Sequence, residues 1–312
     1  MRAIGLCRLS WVVLLAMAFP AAGGQIETSS PGKDYISGIQ AGRKARDKRF
    51  RDAKSSPLGV IAITKLESPR LTIGSSPEAD LRLTGRSVAP IHAVVVRENA
   101  GNETLRWLLK PVGGKVINEQ NGVSVETAEL RKGDRFLLGK QIVYLDQLGT
   151  LGPVIRAFDP RADAFTRFQE LPYFPVDPAF RVEAEVLPDP APTQMTITDT
   201  NAWNRAGWKY GRIRFRLEGQ ELALQLWVFK PDPGAQDEFF IAFRDKTNGV
   251  ESYSGGRYLD VPFVKSGRTF LDFNQAYNPS CAYNTGFACP IPPPENRLPV
   301  AIKAGEKAFD SH

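Results

Sequence analysis

The side chains best suited to chemistry crowd into the last quarter of the 312-residue chain. Asp245, Asp272 and Glu295 are the candidate acids and bases, because carboxylates held in different surroundings separate their pKa values and can divide proton donation from proton abstraction. Thr247, Tyr253, Arg257, Asn274, Tyr277, Asn278, Asn296 and Arg297 lie among them, a set in which arginine holds an anionic group and amides fix hydroxyls. Such a site suits metal-independent hydrolysis of a sugar or ester, or simple sugar binding. The same residues also fit a structural role. Asp245-Lys246-Thr247-Asn248-Gly249 has the composition of a turn, Arg257 with Asp272 or Arg297 with Glu295 can form ion pairs, and irregular backbone needs polar side chains to satisfy it.

Histidine is scarce, and that narrows the chemistry. Besides the near-terminal His312, only His92 is present, beside a β-type run where a structural role fits it better than a catalytic one. Cys281 and Cys289 have no histidine near them, so no metal site is expected. In an oxidising compartment the two cysteines would pair and close a short loop, constraining the unfolded chain by about 2–3 kcal/mol; buried free thiols are the alternative. The chain has neither a glycine-rich phosphate loop with its lysine nor a dinucleotide fingerprint, so no cofactor is expected. Trp203, between Asn201 and Asn204, is the indole best placed for a sugar ring, whereas Trp227 sits in an apolar run and belongs to a core.

Arg2 and Arg8 flank the start of an apolar run from Leu9 to Phe19, followed by Pro20 and the small residues Ala21 to Gly24. The run is too short to cross a bilayer and reads as a cleaved secretory leader ending near Gly24, which predicts an extracytoplasmic protein, periplasmic or secreted, with no stable membrane anchor after cleavage. The chain carries 40 Lys and Arg against 34 Asp and Glu. Part of the excess is a basic stretch from Arg43 to Lys54, read as the solvated face of a helix, so no nucleic-acid partner is expected. A small-molecule or glycan ligand is the expected partner, and the oligomeric state is not encoded legibly.

The elements that must position these groups are mostly β. Residues 33–56 read as one helix closed by Pro57. Short β-type runs follow at 59–66, 70–73, 81–83, 93–97, 105–110, 115–118, 122–125 and 136–144, separated by turn residues such as Asn121-Gly122 and Lys132-Gly133-Asp134. After Gly152, further runs occupy 154–158, 181–186, 194–198, 208–217, 221–229, 239–244 and 269–273. Ile213, Phe215 and Leu217 alternate with Arg212, Arg214 and Arg216, and residues 210–229 read as a hairpin about Glu218-Gly219-Gln220. Prolines between Leu171 and Thr193 favour extended segments and loops over helix, and those at 290–299 an extended strap. The division expected is a leader at 1–24, a helical arm at 25–57, a β-rich sandwich or open barrel at 58–150 and a second β-rich region at 151–312.

Two resemblances sharpen this division. Asp245-Lys246-Thr247-Asn248-Gly249, Gly255-Gly256-Arg257-Tyr258, Leu271-Asp272-Phe273-Asn274-Gln275-Ala276-Tyr277-Asn278-Pro279, Glu295-Asn296-Arg297-Leu298 and Ala304-Gly305-Glu306-Lys307 resemble the family called domain of unknown function 1684. Phe174-Pro175-Val176-Asp177 also fits, and a weaker likeness reaches back through Ile73-Gly74-Ser75 towards the opening helix. Leu71-Thr72-Ile73-Gly74, Ala79-Asp80-Leu81, His92-Ala93 and Gly133-Asp134-Arg135-Phe136-Leu137-Leu138-Gly139 resemble forkhead-associated domains, β-sandwiches that bind phosphothreonine. The arginine usual after Gly74 is Ser75 here, and Ala89 stands about where the serine before the histidine belongs. Without those donors a phosphate loses its charge-assisted hydrogen bonds. The function expected from the sequence is therefore a ligand-binding or cell-envelope accessory protein, with a carboxylate hydrolase and a protein-interaction module as alternatives.

Overall fold

The computed structural model describes residues 32–99, 105–147, 152–200, 202–284 and 286–309. The expected leader lies outside the described residues. The fold is mostly β with one N-terminal helix, as the sequence predicts.

Helix α1 (Lys33–Arg51) stops short of Pro57 because polar side chains compete for its last backbone groups. Asp52 is extended, its carboxylate accepts the Lys54 amide at 2.9 Å, and Ser55 Oγ donates to the Arg49 carbonyl at 2.9 Å.

The first β region is a sandwich. One sheet orders β1 (Val60–Lys65), β11 (Pro153–Phe158), β10 (Gln141–Gln147), β9 (Arg135–Leu138), β6 (Val116–Asn118) and β7 (Ser124–Val125). The other orders β3 (Leu81–Arg82), β2 (Arg70–Gly74), β4 (Ala93–Asn99), β5 (Leu105–Pro111) and β8 (Ala128–Glu129). Ile73, Leu81, Val95 and Leu109 from one sheet meet Val116, Phe136, Leu138 and Ile155 from the other in a single buried cluster. Two expectations are corrected here. The run 136–144 is not one strand: Gly139, at φ +65°, turns it into the β9–β10 hairpin. Strand β11 was assigned to the second region, yet it pairs with both β1 and β10 and sits inside the first sheet.

Beyond the short helix α2 (Asp163–Thr166), one sheet orders β16 (Arg257–Pro262), β15 (Glu238–Phe243), β14 (Gln220–Val228), β13 (Asn204–Leu217), β12 (Arg181–Thr198) and β17 (Gly267–Asp272), curled into a half barrel. The β13–β14 hairpin turns on Glu218 and Gly219, both at positive φ, and β13 buries Ile213, Phe215 and Leu217 while exposing its arginines. The proline-rich stretch runs irregularly as far as the short 3-10 turn Pro178–Phe180 and then continues as the extended strand β12. Its ladder to β13 skips the prolines, which lack an N–H, between Pro188 and Thr193. Strand β16 is not among the expected runs, because the sequence presents Arg257 as site chemistry, although Tyr258, Leu259 and Val261 carry a buried β pattern.

Strand β15 is apolar on both faces. Phe239, Ile241 and Phe243 enter the core inside the curl, while Phe240 and Ala242 join a second cluster with Val60, Ile142 and Phe158 of the sandwich. That second cluster links the two regions, and α1 lies across the C-terminal one.

Candidate functional site

The predicted site residues are mostly buried and bonded largely to one another or to nearby backbone, although Arg257 Nε and Asn278 Oδ1 have no partner among the described residues. Arg257 is fully buried on β16. Its Nη2 donates to Asp245 Oδ2 at 2.8 Å and to the Ile302 carbonyl at 2.8 Å, and its Nη1 donates to the carbonyls of Ala304 and Glu306. Burial pulls the guanidinium below its usual pKa, and the Asp245 charge opposes this. Asp245 also accepts from the Thr247 amide and hydroxyl and the Ile302 amide, so its oxygens hold a turn and the last extended segment together. Asn296 bonds both backbone groups of Gln225 and the Ala242 carbonyl. Asp272 caps the turn at Asn274 and accepts from Tyr35 Oη of α1 at 2.9 Å, while Asn274 bonds both backbone groups of Asp177. Glu295 and Arg297 are exposed, and among the described residues neither has an ion-pair partner.

The candidate carboxylates therefore occupy three different settings: Asp245 is locked to Arg257, Asp272 caps a turn under α1, and Glu295 faces solvent. Tyr253 Oη reaches Cys281 Sγ at 3.7 Å, and burial with the neighbouring thiols pushes its hydroxyl up to about 12. Cys281 and Cys289 are both free thiols, so the expected disulfide is not formed in this structure. The Cys281 amide donates to Cys289 Sγ at 3.2 Å, and the hydrogen bond between the thiols lowers Cys281 to about 7 while raising Cys289. Trp227 is in the core as expected, whereas Trp203 is half-buried with Lys65 Nζ 4.9 Å above its ring.

Of the predicted set, Asn274, Tyr277 and Asn278 line open space, beside residues the sequence reading passed over. Arg43 and Arg46, read as solvated, insert from α1 into the C-terminal region: Arg46 pairs with the buried Glu306, which also accepts from Tyr283 Oη and the Asn278 amide. Arg43 donates to the Phe174 carbonyl at 2.8 Å and lies 4.5 Å over the Tyr173 ring. Between α1 and β16 opens a cavity of about 420 Å³ lined by Arg43, Arg46, Tyr173, Asn274, Tyr277 and Asp260, among others. Tyr277 Oη donates to Asp260 Oδ2 at 2.8 Å. Asp260 faces this opening, yet the surrounding protein raises its carboxyl above the ordinary value; the tyrosine bond opposes that and Glu238 reinforces it. The signal that could have found these residues was the doubly apolar strand β15, which requires a partner on each face.

His92 organises the other candidate edge. Its Nδ1 accepts the Ala89 amide at 3.2 Å, which leaves the proton on Nε2 to donate to the Lys115 carbonyl at 2.9 Å. Ser75 and Ser76 amides donate to the carbonyls of Ala89 and Pro90, and the Gly113 amide to that of Ile91. Gly74 is required by close approach, since a Cβ there would lie 2.0 Å from the Pro90 oxygen. Three loops, at 75–80, 83–92 and 112–115, are thereby fixed around one imidazole. Ser75 Oγ turns inward and donates to the Val88 carbonyl at 3.0 Å.

Residues 71–139 match the FHA domain model and residues 166–307 match the model described as Protein of unknown function (DUF1684). The chain carries a forkhead-associated domain followed by a DUF1684 domain. The DUF1684 match begins after the sandwich, so the weak likeness at Ile73-Gly74-Ser75 belongs to the forkhead-associated match instead. Among solved structures, the chain is similar to an uncharacterized protein from gene locus rrnAC0354 of Haloarcula marismortui, at 34% identity over 47% of this chain and 80% of that one, with a TM-score of 0.40. It is similar to the FHA domain of the CT664 protein from Chlamydia trachomatis at 22% identity, covering 30% of this chain and 81% of that one, with a TM-score of 0.21. It is also similar to the FhaA FHA domain, solved with the intracellular domain of Rv3910, at 20% identity over 30% of this chain and 84% of that one, with a TM-score of 0.21. No curated protein matches the chain. The forkhead-associated match overturns the extracytoplasmic expectation: it points to an intracellular signalling or protein-interaction role instead of a periplasmic or secreted one.

Proposed function

We propose that this protein is a protein-interaction module whose forkhead-associated domain binds an extended peptide without requiring phosphothreonine. The observation that carries the reading is the combination at His92: the three loops are locked to backbone partners, while the two positions that would supply phosphate donors are Ser75, turned inward, and Ala89. A loop edge held this firmly loses little entropy on binding, and rigid scaffolds that position loops are where recognition concentrates. The edge keeps exposed Thr84, Arg86 and Ser87, together with Val112, an exposed apolar side chain on the neighbouring loop. Arg86 and Lys115 beside apolar surface suit an acidic or neutral peptide, and the lack of an arginine at position 75 and of a hydroxyl at position 89 removes the donors that would favour a phosphate.

Peptides selected on the purified chain from a random display library test this. The expected result is that their affinity falls about tenfold or more, ~1.4 kcal/mol, in Arg86→Glu combined with Val112→Asp, and changes less than about threefold when a threonine in the peptide is phosphorylated. A tenfold gain on phosphorylation, or binding indifferent to both substitutions, would overturn it.

A further inference from the structure

The outer face of the curled sheet carries a row of aromatic rings. Phe229, just past β14, lies 5.4 Å from Phe240 on β15; Phe240 lies 4.7 Å from Tyr258 on β16, and Tyr258 5.8 Å from Tyr277. These rings border a second cavity, of about 540 Å³, which takes Arg49 from α1, Arg156 from the sandwich, and Phe287 and Cys289 from the segment before the proline strap. That volume is in the usual range for small-molecule sites and too small for a folded partner.

The charge on its walls has one sign. Arg46, Arg49, Arg156 and Arg205 line the cavity, and no carboxylate among the described residues does. Three of these have acids elsewhere: Arg46 pairs with Glu306, Arg156 with Asp146 at 3.0 Å and Arg205 with Asp199 at 3.3 Å. Arg49 is exposed, and no carboxylate among the described residues pairs with it. Arg156 and Arg205 each bury an Nε with no acceptor among the described residues. Two of the guanidinium groups lie over aromatic faces, Arg46 at 4.9 Å from Tyr277 and Arg156 at 5.0 Å from Phe287, so cationic and apolar surfaces alternate around the opening. A cation would be repelled from such a cavity, and a neutral apolar body would leave Arg49 without a counter-charge.

We propose that this cavity, at the junction of α1, the forkhead-associated domain and the DUF1684 domain, binds a small organic anion with a flat apolar body: the body lies along the rings and the anionic group faces Arg49 and its neighbours. This is a second site, separate from the peptide edge at His92 and independent of it.

Fluorescence titration of the full chain with anilinonaphthalene sulfonate, beside phenylnaphthylamine, which has the same rings and no sulfonate, tests it. The sulfonate is expected to saturate one site per chain and to bind about tenfold or more tighter than the amine. Arg49→Glu should weaken the sulfonate about tenfold and leave the amine within about twofold, and Phe229→Ser should weaken both. Both side chains are exposed, so the variants fold, and unchanged circular dichroism verifies it. Arg216→Glu, at the hairpin end of β13 beside Glu221 and outside the cavity lining, controls for net charge, and Arg86→Glu leaves sulfonate binding unchanged even if the peptide reading fails. Equal affinity for the two probes, non-saturable binding, or equal losses in Arg49→Glu and Arg216→Glu would each overturn the proposal.

Discussion

In the forkhead-associated domain the buried polar centre is a neutral imidazole; in the DUF1684 domain it is a guanidinium ion. His92 serves two backbone groups and fixes three loops whose outer surfaces stay free. Arg257 serves carbonyls at Ile302, Ala304 and Glu306 and one carboxylate, and it fixes a chain end that has no ladder of its own. A segment without secondary structure leaves its carbonyls unsatisfied, and a cation with several fixed donors is the densest way to satisfy them. A loop already anchored at both ends by strands needs fewer bonds, and a neutral group supplies them without burying charge. In both domains the most motif-like residue therefore positions backbone, and the surface able to meet a ligand lies beside it.

Breaking each centre separates the two cases. Arg257→Met leaves Asp245 as an unpaired buried charge and three carbonyls without donors, so unfolding in urea should show a loss of about 3–5 kcal/mol. A loss under about 1 kcal/mol would mean that the extended end is held by other contacts and that Arg257 is free for another purpose. His92→Ala orphans the Ala89 amide and the Lys115 carbonyl in a smaller cavity with no charge exposed, and the expected loss is roughly 2–3 kcal/mol. If His92→Ala costs nothing in stability but abolishes peptide binding, the imidazole contacts the peptide directly and the scaffold role is refuted.

Much of the strand pattern was legible because alternation and turn residues are local properties: the β13–β14 hairpin and the sandwich strands follow from them. The long motifs of the C-terminal half named Asp245, Arg257, Asp272 and Asn296, and the structure joins Asp245 to Arg257 while it holds Asp272 and Asn296 in separate sets of bonds, because residue type does not report direction. The same aspartate looks alike whether it faces a cavity or a buried guanidinium. The two cavities were illegible for a different reason. Their walls combine Arg46 and Arg49 from the helix, Arg156 from the sandwich and Phe240, Tyr258, Tyr277 and Phe287 from the curled sheet and its flank, residues far apart in sequence, of which Tyr277 alone belongs to the predicted set. Proline leaves loop and strand undecided, because a strand can carry it wherever the ladder skips a bond, as β12 does.

The smallest expected effect concerns the one carboxylate that faces a cavity against its own preference. Asp260 has its pKa raised, mainly by the protein around it and further by Glu238, so the folded chain holds its proton more tightly than the unfolded chain does. Between the ordinary carboxylate value and the raised one, folding takes up a proton; stability therefore falls as pH rises through that interval, and the deficit persists in full above it. Asp260→Asn removes the charge and keeps an oxygen to accept from Tyr277, so the variant should melt above the wild type at neutral pH, with the gap closing as the pH is lowered below the ordinary carboxylate range. Solvent in the cavity screens the effect, which keeps it below about 1 kcal/mol. Thermal melts across that pH range decide the matter: a gap of the opposite sign, or one that widens on acidification, would show that the ionised carboxylate is favoured there and that Asp260 is held by a cationic neighbour such as Arg46, whose influence on it is otherwise the weaker one.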